Sequence, residues 1–493
     1  MLLSLILCLP VVASGLCLFI RRRLGLELLT VTSTGAMLVL VLLAAHQLLQ
    51  RGVLSALGDW LYADALSIFT VLVIALVSFT TALYSIGYLR EDMREQDVTE
   101  GEGLHRLRRY YVLFNLFVFS MLVVPLSNSL GVLWIAIEGT TLASLFLVSF
   151  YGTREALEAA WKYVIIGSVG IALALFGTIL AYYSAVQVLG PSYDLNWSVL
   201  APVATHLNAG VMRLALLFII AGYGTKAGLA PMHTWLPDAH SEAPSPISAL
   251  LSGVLLNCAL YGILRFYALA VPSLGRAYPT ELLLTFGLLS LVVATLLISR
   301  QRDYKRLLAY SSIEHMGIIA LGLAFGGAMG LYGSLLQILN HALTKSLMFF
   351  AAGQILLKYE TKEISRVAGV IRLLPISGGM LLAGGLALTG SPPFGLFMSE
   401  MTILSAGFRQ GFALVAAAVL VMIALIFMGM LFKLSHMLFG KPPETSKPGE
   451  FSYLSVLAMA LSMLVVLCLG IWIPAPLSTL LHQASTVLGG AGQ

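Results

Sequence analysis

Apolar residues run along this chain in long blocks, each closed by a few polar positions, and most blocks have the length of a bilayer crossing. A spanning helix needs roughly 20 mostly apolar residues. That rule predicts fourteen spans, at 2–20, 27–49, 66–89, 110–127, 129–150, 157–186, 210–231, 245–271, 280–299, 308–325, 328–357, 371–408, 411–437 and 451–473. The first block has the length of a secretory signal. However, Arg21, Arg22 and Arg23 follow it and no small-residue cleavage site precedes them, so it reads as a retained helix.

Composition agrees with the pattern. Of 493 residues, 59% are hydrophobic and only 10% are charged. A soluble domain carries about 25% charge, so this chain cannot cover a soluble surface. The expectation is an all-α polytopic membrane protein of about fourteen transmembrane helices. Twenty lysines and arginines lie in or at the edges of the odd-numbered loops, against Arg51, Arg276 and Arg409 in the even-numbered ones. The positive-inside rule then places the odd loops in the cytoplasm and both termini outside.

Several functions are excluded early. The net charge is only +5 and the basic residues sit in short loops, which is no nucleic-acid patch. No Walker or GxGxxG pattern stands between a strand and a helix, and no loop is long enough for a nucleotide-binding domain. Cys8, Cys17, Cys258 and Cys468 lie singly in apolar runs, without CxxC or Cys/His metal spacing. No metal site or cofactor is expected in the chain itself.

The candidate chemistry lies inside the spans. An ionisable side chain at mid-bilayer costs several kcal/mol and faces protein or water, so it is a functional candidate by default. Span 5 carries one acid, Glu138. Lys162 lies near the end of span 6, where a lysine can snorkel to the surface. Span 7 carries Lys226, followed by Pro231, His233, Asp238 and His240. Proline breaks a helix, and broken helices at mid-membrane mark ion paths. The seven-residue spacing of His233 and His240 matches no common zinc site.

Span 10 carries Glu314 and His315, and span 11 carries His341 and Lys345, four residues apart on one helix face. Span 12 carries Pro392, Pro393 and then Glu400. These groups form an approximate line of acids and bases, which a proton relay requires. Asp303, Lys305 and Arg306 read as cytoplasmic anchors.

The two proline breaks, in spans 7 and 12, suggest two inverted five-helix repeats, spans 4–8 and 9–13. The chain then divides into an N-terminal segment of three helices over 1–109, a first repeat 110–271, a second repeat 280–437 and a C-terminal helix and tail 451–493. Under that division Lys162 matches Lys345, Lys226 matches Glu400, and Glu138 matches the polar site of span 10.

Glu138, the segment TKAGLAPMHTWLPDAH from Thr225 to His240, the segment DYKRLLAYSSIEHMG and the NHALTK stretch ending at Lys345 carry a resemblance. Together they resemble the antiporter-like membrane subunits of respiratory complex I, related to Mrp-type cation/proton antiporters. The Glu314–His315 pair makes the chain most similar to the hydrogenase-4 component F type found in group 4 membrane-bound [NiFe] hydrogenases. There is one departure: Asn257 stands on span 8 where many members carry lysine or histidine.

The resemblance implies a proton-translocating subunit with a relay of Glu138, Lys226, His315, His341, Lys345 and Glu400. Lys162, His233, Asp238, His240, Asn257 and Glu314 would tune it. It implies further membrane subunits, a peripheral hydrogenase or dehydrogenase arm holding [NiFe] and iron–sulfur centres, and a bacterial or archaeal cytoplasmic membrane. The competing expectations are a complex I chain, an Mrp-type subunit moving sodium, and a non-conducting scaffold, for which Asn257 is the best support.

Overall fold

The computed structural model describes residues 1–95, 99–442 and 448–490. The helices in chain order are α1 (Leu2–Cys17), α2 (Arg23–Arg51), α3 (Ala65–Glu95), α4 (Glu100–Leu126), α5 (Leu130–Val148), α6 (Arg154–Leu189) and α7 (Trp197–Leu200). Then follow α8 (Ala209–Ala227), α9 (Leu236–Glu242), α10 (Ser245–Leu250), α11 (Leu256–Leu274), α12 (Ala277–Ile298), α13 (Tyr304–Phe325) and α14 (Gly327–Tyr359). The last are α15 (Val370–Leu373), α16 (Pro375–Leu388), α17 (Gly395–Arg409), α18 (Ala413–Phe439), α19 (Tyr453–Ile471) and α20 (Ala475–Ser485).

Each expected span finds a helix, and three are composite. Span 7, expected over 210–231, is α8 and a break that leads to α9 beyond its expected end; span 8 is α10 with α11, and span 12 is α16 with α17. Eleven helices among the described residues are long and apolar enough to cross a membrane. The count falls short of fourteen for physical reasons. Helix α1 has 16 residues, and the broken span 12 is two short pieces. Helix α14 has 33 residues, but Gln337, Asn340, His341, Lys345 and Gln354 lower its hydropathy, and all five are buried in protein.

The chain also departs from a purely helical fold. A small antiparallel hairpin pairs β1 (Leu54–Ala56) with β2 (Leu61–Ala63). Its turn places Leu57, Gly58 and Asp59 at positive φ.

Burial sorts the helices into an inside and an outside. The span formed by α10 and α11 and the helix α13 are buried on every side, and α3 is mostly buried. Helices α2, α12, α18 and α19 bury only a minor face and present apolar residues outward. Small residues let neighbours approach closely, the usual device of helix packing in membranes. Helix α6 packs along α8, where a side chain added at Gly222 would strike the backbone of Gly170 and Ala174.

The two spans marked by Pro231 and by Pro392 and Pro393 are interrupted, whereas α1, α4 and α11 carry Pro10, Pro125 and Pro272 within continuous helices. Helix α8 stops at Gly228, whose φ of +81° suits glycine, and the chain turns before α9. The freed amide of Ala230 donates to Ser290 Oγ on α12 at 2.9 Å, which satisfies a donor that the break would orphan. Helix α16 stops at Leu388 and α17 starts at Gly395. A third irregularity, a π-helical turn over Leu251–Leu255, joins α10 to α11. A side chain added at Gly253 in that turn would meet the backbone of Ala342 on α14, so glycine permits this close approach.

A buried line of lysines, carboxylates and histidines

The first cluster joins α5, α6 and α8. Lys226 is fully buried in the last turn of α8, where the negative end of the helix dipole favours a cation. Its ammonium donates to the carbonyl of Ile137 at 3.2 Å, to Thr140 Oγ1 at 3.4 Å and to Thr141 Oγ1. Thr141 in turn donates to Glu138 Oε2 at 3.0 Å, and Ser168 on α6 donates to Glu138 Oε1 at 3.2 Å. Glu138 and Lys226 do not form a direct ion pair. The structure places one hydroxyl between them instead. Above the ammonium lies the Tyr163 ring, 5.4 Å away, which packs on Trp235. Trp235 ties the break to α8 through Thr225 O at 2.8 Å.

The second cluster joins α13, α14 and α17. Lys345 is fully buried and donates to the carbonyl of Leu308 and to Ser311 Oγ. His341, one turn earlier on α14, faces His315 with ring centroids 5.2 Å apart, and neither nitrogen of His341 has a protein partner. His315 Nδ1 lies 3.1 Å from the Gln337 amide nitrogen and 3.8 Å from Glu400 Oε1. Gln337 also donates to Glu400 at 3.4 Å and accepts from Ser399. The break in span 12 makes room for the acid, since a side chain at Gly390 would collide with the Glu400 carboxylate. Asn340 ties α14 to the start of α17 through Gly395 O at 2.7 Å. Glu314 is buried on α13, and its Oε2 has no protein partner.

Between the clusters stand His240 and Asn257. His240 is buried in α9, its Nδ1 is 2.8 Å from Leu236 O, and its Nε2 is unpartnered. Its electrostatic neighbours include Lys345 and Lys305. Asn257 follows the π turn, donates to Gly253 O at 2.7 Å and leaves its Oδ1 unpartnered. His233 lies in the break of span 7 with its Nδ1 unpartnered, 6.4 Å from the Tyr310 ring between centroids. Buried polar atoms normally find a protein or water partner, so this series marks where ordered water is needed.

Three expectations need correction. Lys162 does not join the buried line. Its side chain is 46% exposed and pairs with Glu158 at 2.7 Å and Asp238 at 3.1 Å, as a long stem near a helix end allows. Asp238 also pairs with Arg306 at 2.8 Å, so it belongs to the same surface network. That network lines a cleft of about 270 Å³ with Glu155, Glu158 and Glu242. Lys162 and Lys345 therefore have opposite surroundings, and their expected correspondence does not extend to chemistry. Lastly, Lys305 is not an exposed anchor, because it is buried and donates to Ala243 O at 2.6 Å.

Sequence reasoning missed the hydroxyls and amides that hold the charges: Thr141, Ser168, Ser311, Gln337 and Ser399. It also left Arg265 without a role. Arg265 is buried in α11 and grips Asp64 with two hydrogen bonds of 2.6 and 2.8 Å. Ser67 and Tyr261 complete its donors, and the Trp197 ring lies 4.4 Å away. Burial works against the Asp64 charge, but Arg265 overrides it and holds the carboxyl below the usual carboxylate range.

Among the described residues no group of three or more histidines, cysteines or acids could hold a metal. The cysteines are all free thiols.

Comparison with known proteins gives a consistent answer. The family model described as "NADH:quinone oxidoreductase/Mrp antiporter, TM" matches residues 127–426, and that of the "NADH-Ubiquinone oxidoreductase (complex I), chain 5 N-terminus" matches residues 60–96. A hydrogenase-4 component F homolog from Methylacidiphilum infernorum (isolate V4) is 40% identical over 432 residues, covering 87% of this chain and 89% of the relative. A chain of the membrane-bound sulfane sulfur reductase, an archaeal respiratory membrane complex, superposes with a TM-score of 0.86 at 26% identity, covering 99% of this chain and 97% of that one. A chain of respiratory complex I from Thermus thermophilus superposes with a TM-score of 0.77 at 26% identity, covering 96% and 97%. The multi-pass fold, the matched core and the relatives agree, and the chain belongs to the antiporter-like membrane subunits of the NADH:quinone oxidoreductase/Mrp family.

Proposed function

We propose that this chain conducts protons across the membrane as one subunit of a redox-driven complex of the group 4 membrane-bound [NiFe] hydrogenase type. The observation that carries the reading is the pair of fully buried lysines, Lys226 and Lys345, each held by a carbonyl and a hydroxyl and neither in an ion pair. Arg265, a buried cation with a structural role, has by contrast a carboxylate in contact.

The relay runs Glu138, Lys226, then the His240–Asn257 region, Lys345 with His341 and His315, and Glu400. Glu138 stabilises the Lys226 charge through Thr141. When a neighbouring subunit changes the charge at Glu138, that stabilisation is lost and the proton of Lys226 moves toward the second cluster. Asn257 cannot carry the proton, so water ordered by Asn257, His240 and His341 bridges the centre. Asp238 and Lys162 act at the entry cleft, and His233 lies behind it. The division into repeats, 110–271 and 280–437, is supported by one broken span in each.

Other membrane subunits would flank the chain, and a peripheral arm would carry the [NiFe] and iron–sulfur centres. The loop charges place both termini outside the cytoplasmic membrane of a bacterium or archaeon. The likeness to the complex I chain favours a second reading, a quinone-reductase subunit or an Mrp-type carrier of sodium.

The test is to purify the tagged chain gently, identify its companions by mass spectrometry and measure redox-driven proton uptake in proteoliposomes. A [NiFe] large subunit with iron–sulfur proteins and proton movement is the expected result. NADH-oxidising subunits, or movement that depends on sodium, would replace it with the second reading.

A further inference from the structure

Lys226 and Lys345 are held by the same chemistry on different helices. Lys226 takes a carbonyl, Ile137, and the hydroxyl of Thr141, both on α5. Lys345 takes a carbonyl, Leu308, and the hydroxyl of Ser311, both on α13, and that hydroxyl rests on Leu308 O at 3.0 Å. On α5 a carboxylate stands three residues from the hydroxyl, Glu138 before Thr141, and accepts a hydrogen bond from it at 3.0 Å. On α13 a carboxyl also stands three residues from the hydroxyl, Glu314 after Ser311. Residues three apart on a helix are neighbours, about 5–6 Å between Cβ atoms.

Glu314 is 2% exposed and its Oε2 has no protein partner. Its charged neighbours are Glu400 and Lys345, so it lies within electrostatic reach of both. The histidine on the other flank is less free. His315 faces the Gln337 amide with Nδ1, and only its Nε2 is without a partner. Asn257 offers no proton-carrying group on α11. A buried carboxyl with an unused oxygen beside a buried lysine is costly unless it exchanges a proton or binds water.

We propose that Ser311 and Glu314 complete a second lysine–hydroxyl–carboxylate unit, and that Glu314 carries the proton between Lys345 and Glu400. This rests on the proton-conducting reading and deepens it. In the forward step the Lys345 ammonium loses one proton and becomes an amine. The Ser311 hydroxyl, which at rest donates to Leu308 O at 3.0 Å, turns toward Glu314, accepts that proton and passes its own to the Glu314 carboxylate, which becomes a neutral acid. Glu314 then gives the proton to the Glu400 carboxylate and regains its charge. No electron moves, and Ser311 ends as it began. His315 and Gln337 orient Glu400, and His341 orders water behind Lys345.

The experiment uses the whole complex in proteoliposomes, with redox turnover and proton movement measured together for Glu314→Gln, Glu314→Asp, Ser311→Ala and, as reference, Lys226→Ala. Expected is a loss of proton movement of at least about tenfold in Glu314→Gln, the scale of a lost acid–base group. Glu314→Asp restores more than half of it, and Ser311→Ala slows it several-fold. The pH profile of proton movement loses one step in Glu314→Gln and keeps it in Glu314→Asp. Full movement in Glu314→Gln, with Lys226→Ala inactive beside it, overturns this inference alone. Full movement in both overturns the conducting function itself. Should Glu314→Gln not assemble, Ser311→Ala decides: an unchanged rate removes the hydroxyl bridge and the unit with it.

Discussion

The first lysine cluster and the second differ in depth and in the number of acids. Lys226 has one carboxylate, Glu138, which is half-buried on α5 beside the outward-facing Ile135 and Leu142. Lys345 has one buried acid in reach, Glu314, with a second, Glu400, beyond it beside His315, and two histidines, none of them at the surface. A cluster at the edge can be driven from outside, because a partner's charge can approach Glu138. A cluster at the centre can only pass on what reaches it. The same lysine–carbonyl–hydroxyl device therefore serves as a switch in one place and as a store in the other.

The largest effect is expected at Glu400. Glu400→Gln removes the last carboxylate and should lower proton movement by about 100-fold or more, the upper scale for a proton-transfer group; redox turnover measured in parallel separates this from loss of the complex. Next comes the contrast with a charge that is only structural. Arg265→Leu leaves Asp64 buried and unpaired and should cost about 3–5 kcal/mol, seen as a lower melting temperature and yield. The double variant with Asp64→Leu should recover much of that stability, and proton movement per assembled complex should hardly change.

Smaller effects sharpen the difference between the clusters. Thr141→Val removes a hydrogen bond to a charged group, worth about 1.5–3 kcal/mol, and should slow proton movement roughly tenfold or more. Thr141→Ser should retain it. Lys162→Ala breaks an exposed pair, worth at most about 1 kcal/mol, and should change the rate less than about twofold. A large loss with Lys162→Ala would place the entry at that cleft under tighter control than the geometry shows.

Much of this was legible in the sequence for one reason. A charge in an apolar block is conspicuous, so Glu138, Lys226, Lys345 and Glu400 stand out, and Pro231 and Pro392 announce the breaks. The partners of those charges are not conspicuous. Thr141 looks like other helical hydroxyls, which often bond their own backbone, as Thr34, Thr178 and Ser311 itself do. Asp64 and Arg265 are 201 residues apart, and nothing local to either names the other. The π turn at Leu251–Leu255 packs against α14, a contact distant in sequence. Lys162 was open to two readings, tuning group or snorkelling side chain, and its stem reaches the surface, as its place near the end of span 6 allows.

The measurement closest to the central claim is redox-driven acidification in proteoliposomes of the intact complex carrying Lys226→Ala or Glu138→Gln, with electron transfer recorded in the same samples. The account predicts complexes of normal subunit content in which electron transfer continues and coupled proton movement falls to background. Proton movement at the wild-type rate in both variants would contradict a relay through these two residues.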